Sequence, residues 1–358
     1  MEEELMTVFG GVDAVLEPLT HNPNNAVTRG IWRARAGSRT AVLKVLTRRK
    51  EAPAGWEHSE DPRHWNYWRR EADVYASGLP GLWAGTGLRA PRLLELAERP
   101  DGDLALWTED VAGAPGTTWD VARHARLGHQ LGLAQGAQGA ATPVERPWLS
   151  RSFLRDYLEA RRVPYEPLDD DAAWRQPLVA ANFPPELRGE LIRLHRDREE
   201  FLAVMESLPR ALCHLDLWPS NVIDAGGESV LLDWAFTGDG ALGEDIGDHI
   251  PDSVFDLFLP AALLPELDAA VYGAYLRGLR ESGWRGDERL VRLAVCASAV
   301  KYDFLAPPLM LRQAGEAQLD YGGSRPVDAT RRYRERGAAL MFLAGWADEA
   351  RKLAAAVL

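Results

Sequence analysis

Cysteine is nearly missing from this chain. Cys213 and Cys296 are the only two, and each sits in an apolar run, Ala211-Leu212-Cys213 and Leu293-Ala294-Val295-Cys296. Such thiols read as reduced core residues, which excludes a disulfide-stapled scaffold and makes the cytoplasm the expected location. No apolar run approaches the roughly 20 residues needed to span a bilayer, so no membrane partner is expected. The segment Met1-Glu2-Glu3-Glu4-Leu5 is acidic where a secretory leader would be basic and then apolar. Basic residues are in deficit, 41 Lys and Arg against 53 Asp and Glu, for a net charge of −12. Nucleic-acid backbones are held chiefly by basic clusters, so the deficit excludes that class of partner. The acidic surplus suits a cationic small molecule, although solubility is the plainer account of it.

What is present is an ordinary globular composition in a chain of 358 residues, long enough for two packed sub-domains. The first hundred residues read as strand-rich with one helix. Ile31–Ala36 and Thr40–Leu46 form a hairpin turned by Gly37-Ser38-Arg39, and a helix is expected from about His64 to Ser77, stopped by Gly78-Leu79-Pro80-Gly81. Arg92–Ala97 and Leu104–Thr108 are further strands across the turn Pro100-Asp101-Gly102-Asp103. Beyond Gly113-Ala114-Pro115-Gly116 the apolar periodicity becomes helical, over 119–135, 152–162, 185–208, 265–282, 287–305 and 328–357. The Gly/Ala/Gln-rich stretch Leu133–Thr142 reads as a helix end and loop. The expected architecture is α+β in two lobes, a small β-rich lobe over 1–111 and a larger helical lobe over 112–358.

One β-like island interrupts the helices, and it carries the chemistry. It runs Ala211-Leu212-Cys213-His214-Leu215-Asp216-Leu217-Trp218-Pro219-Ser220-Asn221, then turns through Ala225-Gly226-Gly227-Glu228 to reach Leu231-Leu232-Asp233-Trp234. That turn pairs positions whose numbers sum to about 453, which brings Asn221 and Asp233 together at the open end of a hairpin. Asp216 is then a carboxylate on a short loop, able to accept or orient a hydroxyl proton. Asn221 and Asp233 are hard oxygen donors of the kind Mg²⁺ takes. Positioning plus metal-assisted charge neutralisation is most of what phosphoryl transfer asks of a protein.

The pattern His214-x-Asp216 followed by Asn221, with Leu232-Asp233-Trp234 and Gly240-Ala-Leu-Gly-Glu-Asp245-Ile246-Gly247 behind it, resembles the aminoglycoside phosphotransferase and choline kinase family, relatives of the protein kinases. The resemblance implies a bilobal protein-kinase-like fold and a kinase that moves the γ-phosphate of ATP (or GTP), with Mg²⁺, onto a small hydroxylated molecule. It implies Asp216 as catalytic base or orienter, His214 as the residue bracing that loop, and Asn221 and Asp233 as Mg²⁺ ligands. An amino-sugar antibiotic is the first acceptor it suggests. A choline-like amine, a sugar or a homoserine-like metabolite are alternatives, as is an inactive kinase-like binding module.

The resemblance also asks for a strand lysine that contacts the donor's phosphates. Ala41-Val42-Leu43-Lys44-Val45-Leu46 supplies Lys44, and Glu71 on the helix that follows is its expected partner, with Asp73 as competitor. Leu106-Trp107-Thr108-Glu109-Asp110-Val111 resembles the hinge whose backbone reads the base, which makes Glu109 and Val111 cofactor-binding positions. The kinase glycine loop Gly-x-Gly-x-x-Gly does not precede Lys44; an Asn-rich stretch, His21–Thr28, stands there instead. Trp65, Trp68 and Ala72 are expected to pack on the sheet. Asp239, Glu244, Asp248 and Asp252 are expected to face the acceptor, and Asp169-Asp170-Asp171 to lie in a solvated loop.

Overall fold

The computed structural model describes residues 2–139, 144–313, 315–319 and 325–358. Its N-terminal region is built on a five-stranded antiparallel sheet in the order Val15–Pro18, Thr28–Ala36, Arg39–Leu46, Leu104–Glu109, Leu93–Glu98. Strand alternation explains what this sheet does. In Arg39–Leu46 the odd positions Ala41, Leu43 and Val45 join Ala105 and Trp107 in a core capped by Val8 and Phe9. The even positions Val42 and Lys44, with Leu106 and Thr108 beside them, face the opposite way into a cleft.

The cap is the helix Glu2–Phe9, which the sequence pattern had not suggested. It is held by a buried carboxylate, Glu4, which accepts from Arg99 at 2.9 and 2.8 Å and from the Trp107 indole at 2.8 Å. Burial alone would raise the Glu4 pKa, but these donors hold it down at about 2.

The helix after the sheet hairpin begins at Arg70, not at His64, and ends at Ala76. The cause is the Arg70 side chain. Its fully buried guanidinium donates to the carbonyls of Pro62, His64 and Trp65, so these groups wrap around it and cannot serve a helical ladder. The same guanidinium reaches Trp148 O at 2.8 Å and Ala235 O at 3.0 Å, tying this helix to the later helical region. Trp68 and Ala72 pack under the sheet with Leu46 and Leu104, as expected. Trp65 does not: it lies in the large core against Tyr157, Phe236 and Trp56.

The C-terminal region is helical, around a core that runs from Trp65 to Ala350. Helices Val121–Gly139 and Leu264–Glu281 lie against one another along their lengths; Gly128, Gly132 and Gly278 permit it, since a side chain at Gly132 would meet Tyr275 O at 2.2 Å. The expected helix over 185–208 is two, Leu187–Arg196 and Arg198–Ser207, and that over 287–305 becomes a 3₁₀ turn from Ser298 onward. Residues 140–142 of the Gly/Ala/Gln-rich stretch lie outside the described residues. The β-island folds as expected, with Ser229 opposite Asp224 and Leu231 opposite Val222, the register whose numbers sum to 453. Both cysteines are free and buried. Among the described residues no helix is long and apolar enough to cross a membrane.

Candidate active site

The hairpin Val222–Leu231 and the sheet's inner face meet at a cavity of about 570 Å³, lined from one side by Val42, Lys44, Glu71, Leu106 and Val111 and from the other by Asp216, Asn221, Asp233, Asp252 and Lys301. Lys44 Nζ lies 2.6 Å from Glu71 Oε2 and 2.8 Å from Asp233 Oδ1. Burial would strip its proton, but the charges of Asp233 and Glu71 outweigh it and hold the ammonium charged. Burial pushes Glu71 the other way, upward, although Lys44 opposes it. Asp233 is held below the usual carboxylate range against its own burial, chiefly by Lys44. Glu71 also accepts the backbone N–H of Trp234 at 3.2 Å, so one side chain fixes both the lysine and the segment that carries Asp233. The competitor, Asp73, pairs with Arg69 and takes no part.

Asp216 and Asn221 form a second unit. Asn221 Nδ2 donates to the Asp216 carboxylate at 2.9 Å and to its carbonyl at 3.0 Å. Burial, reinforced by the negative charge of Asp233, pushes the Asp216 carboxyl up to about 8, with Lys301 and Asn221 opposing. The Asn221 amide nitrogen is committed to Asp216, whereas Asp233 keeps an oxygen free of Lys44 and is about one-third exposed, and both side chains line the cavity. Two hard oxygens at one wall fit a divalent cation that keeps most of its shell for water and phosphate. Among the described residues there is no cluster of three or more His, Cys, Asp or Glu that would make an all-protein metal cage.

The loop is strained and held from behind. Leu215 and Asp233, neither a glycine, adopt φ of +63° and +56°, a conformation that costs of order 1–3 kcal/mol each unless the surroundings enforce it. Asp245 does so for Leu215: its buried carboxylate accepts the N–H of His214 at 3.0 Å and of Leu215 at 2.8 Å, and Gln135 donates to it at 2.9 Å. Burial raises Asp245 to about 6 even against those bonds. His214 does not reach the cavity. Its ring is fully buried edge-on to Trp234 at 5.0 Å, between the loop and the Asp233 segment, and burial lowers it to about 4.

Other expectations fare unevenly. Glu109 and Val111 both line the cavity, but the Glu109 carboxylate is spent on Arg89 at 2.9 Å and on the Arg92 N–H. Of the four acids expected to face the acceptor, only Asp252 lines the cavity. Asp239 pairs with Arg210, Glu244 accepts the Ala241 N–H, and Asp248 is buried 2.7 Å from Lys301. Asp170 caps the short helix Asp171–Trp174, and Asp171 is solvent-exposed with Arg188 as partner.

Several cavity residues had no local signature. Tyr157, Arg161, Lys301, Tyr302 and Phe304 come from helices whose apolar periodicity reads as core. Lys301 carried the one usable hint, a lone lysine within Ala299-Val300-Lys301-Tyr302. Its ammonium is buried, 2.7 Å from Asp248 and 4.0 Å from Asp252.

Comparison with known proteins identifies the family and the fold. A sequence model described as the phosphotransferase enzyme family matches residues 32–288. No curated protein matches the chain. Among solved structures, a microcompartment-associated aminopropanol kinase superposes with a TM-score of 0.57 at 14% identity, covering 98% of each chain. A choline/ethanolamine kinase family protein from Mesorhizobium loti gives 0.51 at 19% identity, covering 99% of this chain and 97% of that one. An aminoglycoside phosphotransferase from Alicyclobacillus acidocaldarius gives 0.52 at 17%, covering 96% of each. At these identities the likeness is one of fold.

Proposed function

Since the chain belongs to the phosphotransferase enzyme family, we propose that it transfers the γ-phosphoryl group of ATP or GTP to a hydroxyl of a small molecule, with an amino-bearing acceptor as the first candidate. The observation that carries this reading is the convergence of Lys44–Glu71–Asp233 and Asp216–Asn221 on one cavity. The division into a nucleotide-binding lobe over 1–111 and an acceptor lobe over 112–358 belongs to the same proposal.

In this mechanism Lys44 contacts the donor's α- and β-phosphates, and Glu71 keeps its ammonium charged and aimed. Val42, Leu106 and Ile223 supply apolar walls for the base, near the backbone of Glu109 and Val111. Asn221 and Asp233 would hold Mg²⁺, which would supply positive charge to offset that of the donor's phosphates. Asp216 in its ionised form accepts a hydrogen bond from the acceptor hydroxyl, orients its oxygen toward the γ-phosphorus, and takes the proton as the new O–P bond forms and the bond to the leaving nucleoside diphosphate breaks. Asn221 holds that carboxylate in place. Asp252, which shares Lys301 with Asp248, leaves negative charge at the acceptor end, and this favours an acceptor with an ammonium group.

The direct test is a screen with γ-labelled ATP and GTP against amino-sugar antibiotics, choline-like amines, simple sugars and hydroxy amino acids. Transfer of label to one class identifies the acceptor. An inactive binding module would bind the nucleotide and release no phosphate, with acceptor or without.

A further inference from the structure

Five cationic side chains line the cavity: Arg33, Lys44, Arg161, Lys301 and Arg336. Four have a carboxylate within 4 Å, namely Asp110, Glu71 with Asp233, Asp248 with Asp252, and Asp256 respectively. Arg161 is the exception among the described residues. Its Nε and Nη2 are shut off from solvent and have no hydrogen-bond partner. Its guanidinium carbon lies 3.8 Å from the centre of the Trp56 ring and 4.1 Å from that of Tyr157. The Tyr157 phenol is itself kept neutral by burial, so it offers Arg161 no counter-charge.

This is not for want of acids, which outnumber bases 53 to 41. A largely buried cation without a counter-charge costs free energy; the two rings offset part of it, and an anion would offset the rest. Flanking rings restrict what that can be. They hold the guanidinium in one orientation at the cavity wall, where the partner that its charge and N–H donors take is an oxyanion. Tyr157 packs in turn against Phe304, ring centres 6.4 Å apart, in the same 3₁₀ turn as Lys301, which sets Arg161 beside the acceptor end of the cavity.

We propose that the acceptor carries an oxyanion, a carboxylate by preference, which binds Arg161 while its hydroxyl meets Asp216. With Asp252 available to an ammonium, the acceptor class is an amphoteric hydroxylated molecule. The inference rests on the kinase reading above. A phosphate of the donor nucleotide is the other source of such an anion, and the experiment separates the two.

Thermal unfolding is measured for the wild type, Arg161→Gln and Arg161→Lys. The probes are Mg–ADP, homoserine, its decarboxylated counterpart aminopropanol, and its deaminated counterpart hydroxybutyrate, the last three at equal millimolar concentration. Homoserine and hydroxybutyrate should raise the wild-type Tm by about 2–4 °C and aminopropanol by less. Arg161→Gln should lose the shifts given by the two acids and keep the Mg–ADP shift, which also reports that the variant is folded. Arg161→Lys should keep part of the acid response. Acid shifts that are absent in the wild type, or equal in Arg161→Gln, overturn the proposal. Loss of the Mg–ADP shift in Arg161→Gln overturns it in favour of the donor's phosphate. If Mg–ADP stabilises neither protein, the kinase reading itself fails; an intact nucleotide shift without acid binding sinks the Arg161 inference alone.

Discussion

Replacing Asp245 by Asn should separate activity from stability, and the structure gives the size of each effect. Asp245 is fully buried, and burial raises its carboxyl from the ordinary 3.8 to about 6. A raised carboxyl binds a proton in the folded state that the unfolded chain releases, so folding stability falls as pH rises from about 4 to about 6. Above that window the ionised form carries a cost of roughly 3 kcal/mol relative to the neutral one. Asparagine is neutral at every pH and escapes this cost. It loses one of two charge-assisted bonds to the loop, worth about 1.5–3 kcal/mol, and turns an amide donor toward other donors. At pH 8 the two effects nearly cancel, leaving stability within about 1.5 kcal/mol of wild type; at pH 5 the relief shrinks and the variant should be clearly weaker. Catalysis has no such compensation, because Leu215 is released from its left-handed conformation one residue before Asp216. Turnover should fall roughly 10- to 100-fold with nucleotide affinity unchanged. Urea unfolding at pH 5 and 8, with steady-state kinetics at pH 8, decides it. Equal destabilisation at both pH values, or undiminished turnover, would refute the reasoning.

The buried pair His124 and His249, 2.8 Å apart with His249 also bonded to the Leu217 carbonyl, is lowered to about 4 and about 3 by burial. Both stay neutral when folded, so acid favours the unfolded chain below pH 6.5 at about 1.4 kcal/mol per pH unit for each histidine. Replacing both with Gln should flatten the pH dependence of stability between 6.5 and 4 relative to wild type, as measured by chemical denaturation; an unchanged slope counts against the pair. Asp233→Ala should abolish the extra thermal stabilisation that Mg²⁺ adds to bound nucleotide, and a persistent Mg²⁺ increment would remove Asp233 from the metal site. Lys44→Met should weaken nucleotide binding about 10- to 100-fold by calorimetry, and wild-type affinity in that variant would exclude Lys44 from the phosphate site.

Features that depend on neighbours in sequence were readable in advance. The hairpin register follows from one Gly-Gly turn, and it places Asn221 and Asp233 without any knowledge of the rest of the fold. The pairing of Lys44 with Glu71 needed the resemblance as well as helix phase, and it holds although the helix starts six residues later than expected. That displaced start has a tertiary cause, the five carbonyls gathered by Arg70, two of which come from Trp148 and Ala235. The acceptor end escaped for the same reason. Arg161 sits one helical turn from Tyr157, but Trp56 and the later 3₁₀ turn that carries Lys301 join them only through packing between segments more than a hundred residues apart. The N-terminal helix Glu2–Phe9 is too short to announce itself by periodicity, and it is secured by the Glu4–Arg99–Trp107 cluster instead.

The central claim, that Asp216 serves the acceptor hydroxyl, is tested most directly by Asp216→Asn. The change is isosteric and leaves Lys44, Glu71, Asn221 and Asp233 in place. With any acceptor identified in the labelled-phosphate screen, the account predicts a loss of turnover on the order of 10²–10⁴-fold with nucleotide affinity nearly intact. Near-wild-type turnover in that variant would contradict it.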